Sequence, residues 1–340
     1  MRDPHVPRHG RCAASGTWLA GAGGLLALAL MATGVPLPSS PLRPGRIWRL
    51  PPPDLARRAA DAQRTMTAAE DRVRADKRRA GVRTEAEAEP DPSGLLGNEL
   101  TPLVTTLGSL EAKRLATNPL WARVLTERLA GVGIGRGDVV AASFSGSFPG
   151  LNLAVMAACQ ALGADLTAVS STTASTWGAN QPGFTWPEIE ARLVGAGLVA
   201  RASWAVTAGG EADGALDLPV EGRTAARAAM QAAARRLGVP ALEPRDFDDA
   251  VRQRIALYRR AANGRPVALY VNVGGASASL GRSPAILRQR SGFLPGGPFD
   301  LSPGRGVTAR FAEQGVRVLM LLNVRDLALR WGVPLSGRRR

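Results

Sequence analysis

"DVVAASFSGSFPGLNLAVMAACQALGADLTAVSS", Asp138–Ser171, decides how this chain is read. A short apolar run, "DVVAASFS", has the length and composition of a buried strand. "FPGLNLAVMAACQALG" follows as a helix that opens on a proline and stops at a glycine, as helices do. "ADLTAVSS" is a second strand. Strand, helix and strand at this spacing make a βαβ unit. From the helix's first proline to the glycine that ends it there is no acid, base or histidine. The knot Ser145-Gly146-Ser147 sits at the strand-to-helix turn, where backbone N–H groups lack helical partners.

The pattern repeats outward from this unit. "NPLWARVLTERLAGVGIGRGD" precedes it as a helix ending at Gly131 or Gly133. "TWPEIEARLVGAG", "EGRTAARAAMQAAARRLG" and "DFDDAVRQRIALYRRAANG" are helices, and "RASWAVTAGG", "PVALYVNVGG" and "VRVLMLLN" are strands. This alternation implies an α/β fold, a mostly parallel sheet with helices on both faces. "GRSPAILRQRSGFLPGGPFDLSPGRG" is rich in Gly, Pro and Arg and reads as a long surface loop or as a contact for a polyanion.

The N-terminal part reads differently. No charge occurs from Ala13 to Pro38, a run long enough to cross a bilayer. A transmembrane helix is expected there, uncleaved, with the N-terminus inside and the body outside the cytoplasm. "PLPSSPLRPGRIWRLPPP" continues as a stiff linker. "DLARRAADAQRTMTAAEDRVRADKRRAG" reads as a solvated stalk helix lying against the body, with a thin apolar face of Leu55, Ala62, Met66, Ala69 and Val73. "VRTEAEAEPDPSG" is an acidic connector. The expected division is thus 1–38 for the cytoplasmic tail and anchor, 39–94 for linker, stalk and connector, and 95–340 for a ligand-binding α/β body.

Composition narrows the chemistry. The net charge is +15, but the first 58 residues hold eight Arg against Asp3 and Asp54, and Arg338, Arg339 and Arg340 end the chain. The basic excess sits largely at the ends, without the basic face and interleaved aromatics of a nucleic-acid binder, so no nucleic-acid partner is expected. An anionic polymer or an anionic membrane surface fits that charge. His5 and His9 both precede the apolar segment, so the body has no histidine. A Ser-His-Asp triad and a His-ligated zinc site are therefore excluded in the body. Cys12 and Cys159 show no metal spacing, and neither a metal nor a cofactor is expected.

In parallel sheets of this kind, ligands bind beyond the carboxyl ends of strands. Those ends carry Ser143 to Ser147, "SSTTAST" (Ser170–Thr176), "AGGEADG" (Ala208–Gly214) and "NVGGASASLG" (Asn272–Gly281). Each alone fits an ordinary βα turn. Together they suggest a rim of hydroxyls and N–H groups suited to an anion. Ser145, Gly146 and Ser147 are its leading candidates, expected to hold a carboxylate, phosphate or sugar hydroxyl rather than to attack it. Ser109, Glu111, Lys113 and Arg114 form either a solvated helical turn or a place where a cation pairs with an anionic ligand. Glu111 and Lys113 are the candidates for catalysis. Glu211 and Asp213, two residues apart, have the spacing of a cation-binding pair but lack further ligands. "GVGIGRG" precedes a strand instead of following one, which rules out a dinucleotide fingerprint.

Four motifs occur in one order: "GNELTPLVTTLGSLEAKRLATNP", "SGSFPGLNLAV", "STWGANQPGFTWPEIE" and "VNVGGASASLG". Over roughly Gly94 to Gly281, and in the N-terminal anchor, the chain resembles the poly-gamma-glutamate system protein family. The matching residues are Thr105, Thr106, Ser109, Glu111, Lys113, Ser145, Ser147, Trp177, Asn180, Trp186, Asn272, Gly274 and Gly275. The resemblance implies a membrane-anchored accessory role in making or exporting an anionic capsule polymer, beside capsule synthase or export membrane proteins. It implies no particular reaction. Ser109, Trp177, Asn180, Asn272, Gly274 and Gly275 join the serine-glycine knot as candidate ligand-binding residues. The loop around Trp177 and Trp186 reads either as a packed Ω-type loop or as a lid over the rim. The alternative function is a hydrolase or transferase acting, without histidine, on a carboxylate- or sugar-bearing substrate.

Overall fold

The structure is a computed structural model that describes residues 50–83, 93–294 and 304–335. The expected anchor Ala13–Pro38, most of the proline linker, the centre of the acidic connector and the terminal arginines lie outside the described residues. Among the described residues no helix is long and apolar enough to cross a membrane.

The strands are β1 (Val104–Thr106), β2 (Val139–Phe144), β3 (Asp165–Ser171), β4 (Ala174–Ser175), β5 (Asn180–Gln181), β6 (Phe184–Thr185), β7 (Ser203–Thr207), β8 (Val267–Val273), β9 (Gly292–Phe293) and β10 (Arg317–Leu321). The helices are α1 (Leu55–Arg79), α2 (Leu110–Ala116), α3 (Leu120–Gly131), α4 (Pro149–Leu162), α5 (Trp186–Gly195), α6 (Val220–Leu237), α7 (Phe247–Ala262), α8 (Ser277–Leu280), α9 (Ala285–Arg288), α10 (Val307–Glu313) and α11 (Val324–Trp331).

The central sheet runs in the order β7-β3-β2-β8-β10-β9. All pairings are parallel except the short edge strand β9 against β10. Alternate residues of β2 serve the two faces, as the two-residue period of a strand requires. Val140, Ala142 and Phe144 enter the larger core with α1, α3, α4, α5 and α11. Ala141 enters the opposite core with α7 and α10. A third cluster joins α6 to Val206 and Leu103.

That α4 carries no charged residue has a simple cause. The sheet lies on one side of it, and α1 and α3 pack over the other. A helix enclosed in this way needs no charged face, and its two polar side chains are hydrogen-bonded, Asn152 donating to Ser145 O and Gln160 accepting from Ala200 N. Its only cysteine, Cys159, is buried, and burial pushes the thiol up to about 12.

Two sequence readings change here. The helix read as a solvated stalk does lie against the body, but its apolar face is not solvated: Ala59, Ala62, Met66, Ala69 and Val73 are buried in or against the main core. Small residues along this stripe let α1 approach α3 and α4 closely. Its thin apolar face is therefore used up within the chain. The segment read as one long loop after Gly281 contains α9, with Ile286 buried, and the edge strand β9. Residues 295–303 of it lie outside the described residues.

Candidate functional site

From β2 the chain winds outward through β3 to β7, then returns to the other side of β2 as β8 and β10. The winding direction thus reverses between β2 and β8. The loops at their carboxyl ends diverge there, which is where open parallel sheets leave a crevice. A cavity of about 360 Å³ lies at this place. Ser145 and Ser147 line it from the loop after β2, and Ser171, Thr173 and Ser175 from β3 and its loop. Gly210 and Glu211 follow β7, Gly275 and Ser277 follow β8, and Thr105, Thr106, Ser109 and Lys113 close the remaining side.

The serine turn is held by a chain of hydrogen bonds. Ser145 N donates to Val273 O at 3.2 Å. Asn152, one turn into α4, donates its amide to Ser145 O at 2.8 Å. Ser147 N donates to Ser145 Oγ at 3.1 Å, and Ser145 Oγ donates to Ser147 Oγ at 3.1 Å. Ser147 Oγ also accepts from Ser175 N at 3.0 Å, tying the loops after β2 and β3 together. Two glycines permit this approach. A Cβ on Gly146 would lie 2.7 Å from Thr173 O. Gly274 has φ +85°, and a Cβ there would lie 2.7 Å from Ser145 Cβ. Ser143 lies inside β2 and faces the other side of the sheet, so it does not belong to the rim.

Lys113 is the one cation among the cavity's lining residues. Strand β1 pairs with β4, Thr106 opposite Ser175, and so lays the following helix across the rim. Ser109 caps that helix by accepting from Ala112 N at 3.3 Å. The Lys113 side chain then points inward and is 2% exposed. Its Nζ donates to Ser175 Oγ at 2.6 Å and to Ser147 O at 2.5 Å, and it lies 4.0 Å from the centre of the Phe148 ring. No carboxylate among the described residues pairs with it. Burial therefore lowers its pKa from 10.5 to about 7. The ring face and the two acceptors favour the ammonium, but the loss of water outweighs them.

The other candidates occupy different places. Glu111 is exposed and pairs with Arg325 at 3.3 Å, away from the cavity lining. Trp177, with φ +65°, is buried, and its N–H donates to Asn98 O at 2.9 Å. Asn180 clasps the same residue, accepting from Asn98 N at 3.0 Å and donating to Asn98 O at 2.7 Å. Asn272 is buried in β8 and donates to Gly274 O at 2.8 Å, which shapes the turn that Gly274 makes. Trp186 stacks edge-on against Phe144. These residues support the loops of the rim, and the loop around Trp177 is packed rather than open.

Glu211 and Asp213 do not converge. Glu211 pairs with Arg282 on the surface, whereas Asp213 turns inward to Arg254. Among the described residues no group of His, Cys, Asp or Glu is placed to hold a metal ion. The Arg254–Asp213 pair is completely buried and bidentate, with Arg254 Nε 2.5 Å from Oδ2 and Nη2 2.7 Å from Oδ1. Nη1 donates to Ser143 Oγ at 3.0 Å, which also accepts from Tyr270 Oη at 2.8 Å. Burial works against the Arg254 charge, but the Asp213 carboxylate more than offsets it and holds the guanidinium ionised. This pair anchors a turn in which Ala212, Asp213 and Ala215 all have positive φ. Glu211, beside it, forms a wall of the cavity. The sequence carried one signal of this network: Arg254 stands on the apolar stripe Phe247, Val251 and Tyr258 of α7, where a charge needs a buried partner.

No family model, curated protein or solved structure matches the chain.

Proposed function

We propose that the chain is a membrane-anchored accessory protein of poly-gamma-glutamate synthesis or export, with the strand-end cavity binding a carboxylate of that polymer or of another anionic polymer. The observation that carries this reading is the buried Lys113 amine, which no carboxylate of the described residues pairs with; the cavity around it is lined mainly by hydroxyls and glycines, and the two carboxylates in its lining are engaged elsewhere, Glu211 with Arg282 and Asp217 with the Glu211 N–H. A ligand carboxylate supplies the missing counter-charge, and the hydroxyls of Ser145, Ser147 and Ser175 supply hydrogen-bond partners. Support also comes from where the motif residues meet. Thr105, Thr106, Ser109, Lys113, Ser145, Ser147 and Gly275 come from three separate motifs, and all line one cavity.

The uncharged segment Ala13–Pro38 supports the anchor, and the body is proposed to stand outside the cytoplasm beside the synthase or export proteins. Deleting the gene is expected to reduce cell-surface polyglutamate, and restoring it with Lys113→Met is expected to leave the defect. Polymer of unchanged amount and length in the deletion strain would refute the role. Equal binding of glutamate oligomers by the wild type and Lys113→Met would refute the site.

A further inference from the structure

Anion binding explains a cation at this place, but it leaves the contact between Lys113 and Ser175 without a purpose. The amine lies 2.6 Å from Ser175 Oγ, within proton-transfer distance. Ser147 O and the Phe148 ring fix the amine on its other sides. Ser175 N–H donates to Ser147 Oγ, and the β1–β4 pairing holds the Ser175 backbone. Both members of the pair line the cavity, so a substrate there reaches the hydroxyl. A serine hydroxyl held against a buried amine, inside a pocket, is the arrangement in which lysine replaces histidine as the base.

We propose that Ser175 is a nucleophile and Lys113 its general base, and that the cavity carries out acyl transfer on an amide or ester. The neutral amine takes the Ser175 Oγ proton as Oγ bonds to the substrate's carbonyl carbon. The resulting ammonium returns that proton to the leaving amine or alcohol as its bond to carbon breaks, leaving an acyl ester on Ser175. Water then attacks the ester, Lys113 accepts the water's proton, and Ser175 Oγ leaves and recovers it. The products are a carboxylic acid and an amine or alcohol. The inference rests in part on the carboxylate-binding reading, because the product acid is a ligand that the ammonium form of Lys113 holds. A carboxylate-bearing acyl chain is accordingly the substrate class, and the two protonation states of one lysine separate turnover from binding.

The test uses the full-length chain in detergent and an alkyl fluorophosphonate, which phosphonylates activated serines with loss of fluoride. A single adduct on the Ser175 peptide is expected by mass spectrometry. Its rate of formation should rise roughly tenfold from pH 6 to pH 8 and level off above, following deprotonation of Lys113. Ser175→Ala should abolish the adduct while keeping the wild-type circular dichroism and a cooperative urea transition, which show that the variant is folded. Lys113→Arg, which keeps the charge but cannot act as a base near neutral pH, should slow labelling by at least about a hundredfold. Glu111→Gln, an exposed change away from the cavity, should label as the wild type does. An adduct on another serine, no adduct on a chain that still binds glutamate oligomers, or a labelling rate independent of pH would overturn the dyad. Normal labelling with no oligomer binding would instead leave the dyad standing and remove the carboxylate reading.

Discussion

Replacing Lys113 with methionine should stabilise the protein, and by an amount that depends on pH. The side chain is buried, and its pKa falls from 10.5 to about 7 because burial disfavours the charged form. A displacement of that size disfavours the folded, protonated state by about 5 kcal/mol. The sign follows from proton counting. Between the folded and unfolded values, the unfolded chain holds the proton and the folded chain does not. Stability of the wild type therefore rises as pH climbs from 7 toward 10.5, and below pH 7 the full penalty is present. From pH 7 to pH 9 the relief amounts to about 2 kcal/mol. Methionine has similar bulk and no charge, so the variant lacks this term. Urea unfolding of both proteins at pH 7, 8 and 9 measures it. The advantage of the variant should shrink by about 2 kcal/mol across that range. Tyr258, Tyr270 and Cys159 titrate in both proteins and cancel in the difference. A difference that stays constant with pH, or a variant less stable than the wild type at pH 7, would refute the claim that Lys113 is held uncompensated.

Binding of glutamate oligomers needs the ammonium, so affinity should fall by roughly tenfold or more between pH 6.5 and pH 8.5, with proton uptake visible by calorimetry in buffers of different ionisation enthalpy. Arg254→Met leaves the Asp213 carboxylate buried and alone, and should cost about 3–5 kcal/mol in urea unfolding; adding Asp213→Leu should recover part of that loss. Gly274→Ala places a Cβ against Ser145 at a φ of +85°, and should cost about 1–3 kcal/mol while weakening oligomer binding. The full-length chain should sediment with membranes and resist salt extraction, since ions do not screen hydrocarbon burial, whereas a chain starting at Asp54 should stay soluble; release by salt alone would remove the anchor.

The parallel strands of the central sheet were legible because each is a short, largely apolar run bounded by glycine or a helix, whereas the two-residue edge strand β9 was not. β2, β3, β7, β8 and β10 all follow that rule. That α1 lies against the body was legible, but how completely its face is buried was not. Its stripe of Ala62, Met66, Ala69 and Val73 is too small to announce a core helix, and small residues are what close packing on α3 and α4 demands. The three-residue strand β1 was missed for another reason. It pairs with β4 some seventy positions away, and no local period marks a strand whose partner is so distant.

The site divides along the same line. Residues whose role is local were readable: Ser145, Gly146 and Ser147 lie where a strand-to-helix turn must be. Ser175 was visible only as one hydroxyl among many in "SSTTAST", because what singles it out is the amine of Lys113, brought across by the β1–β4 pairing. Glu111 looked equivalent to Lys113 in sequence, two positions away. On a helix that spacing turns one side chain about 200° from the other, so burying Lys113 exposes Glu111. The exposed carboxylate pairs with Arg325 and cannot neutralise the amine. The same helical geometry that aims Lys113 at Ser175 thus keeps the nearest carboxylate in sequence away from it. A charged amine in this position destabilises the fold, and on the proposed reading a ligand carboxylate or loss of the proton relieves that cost.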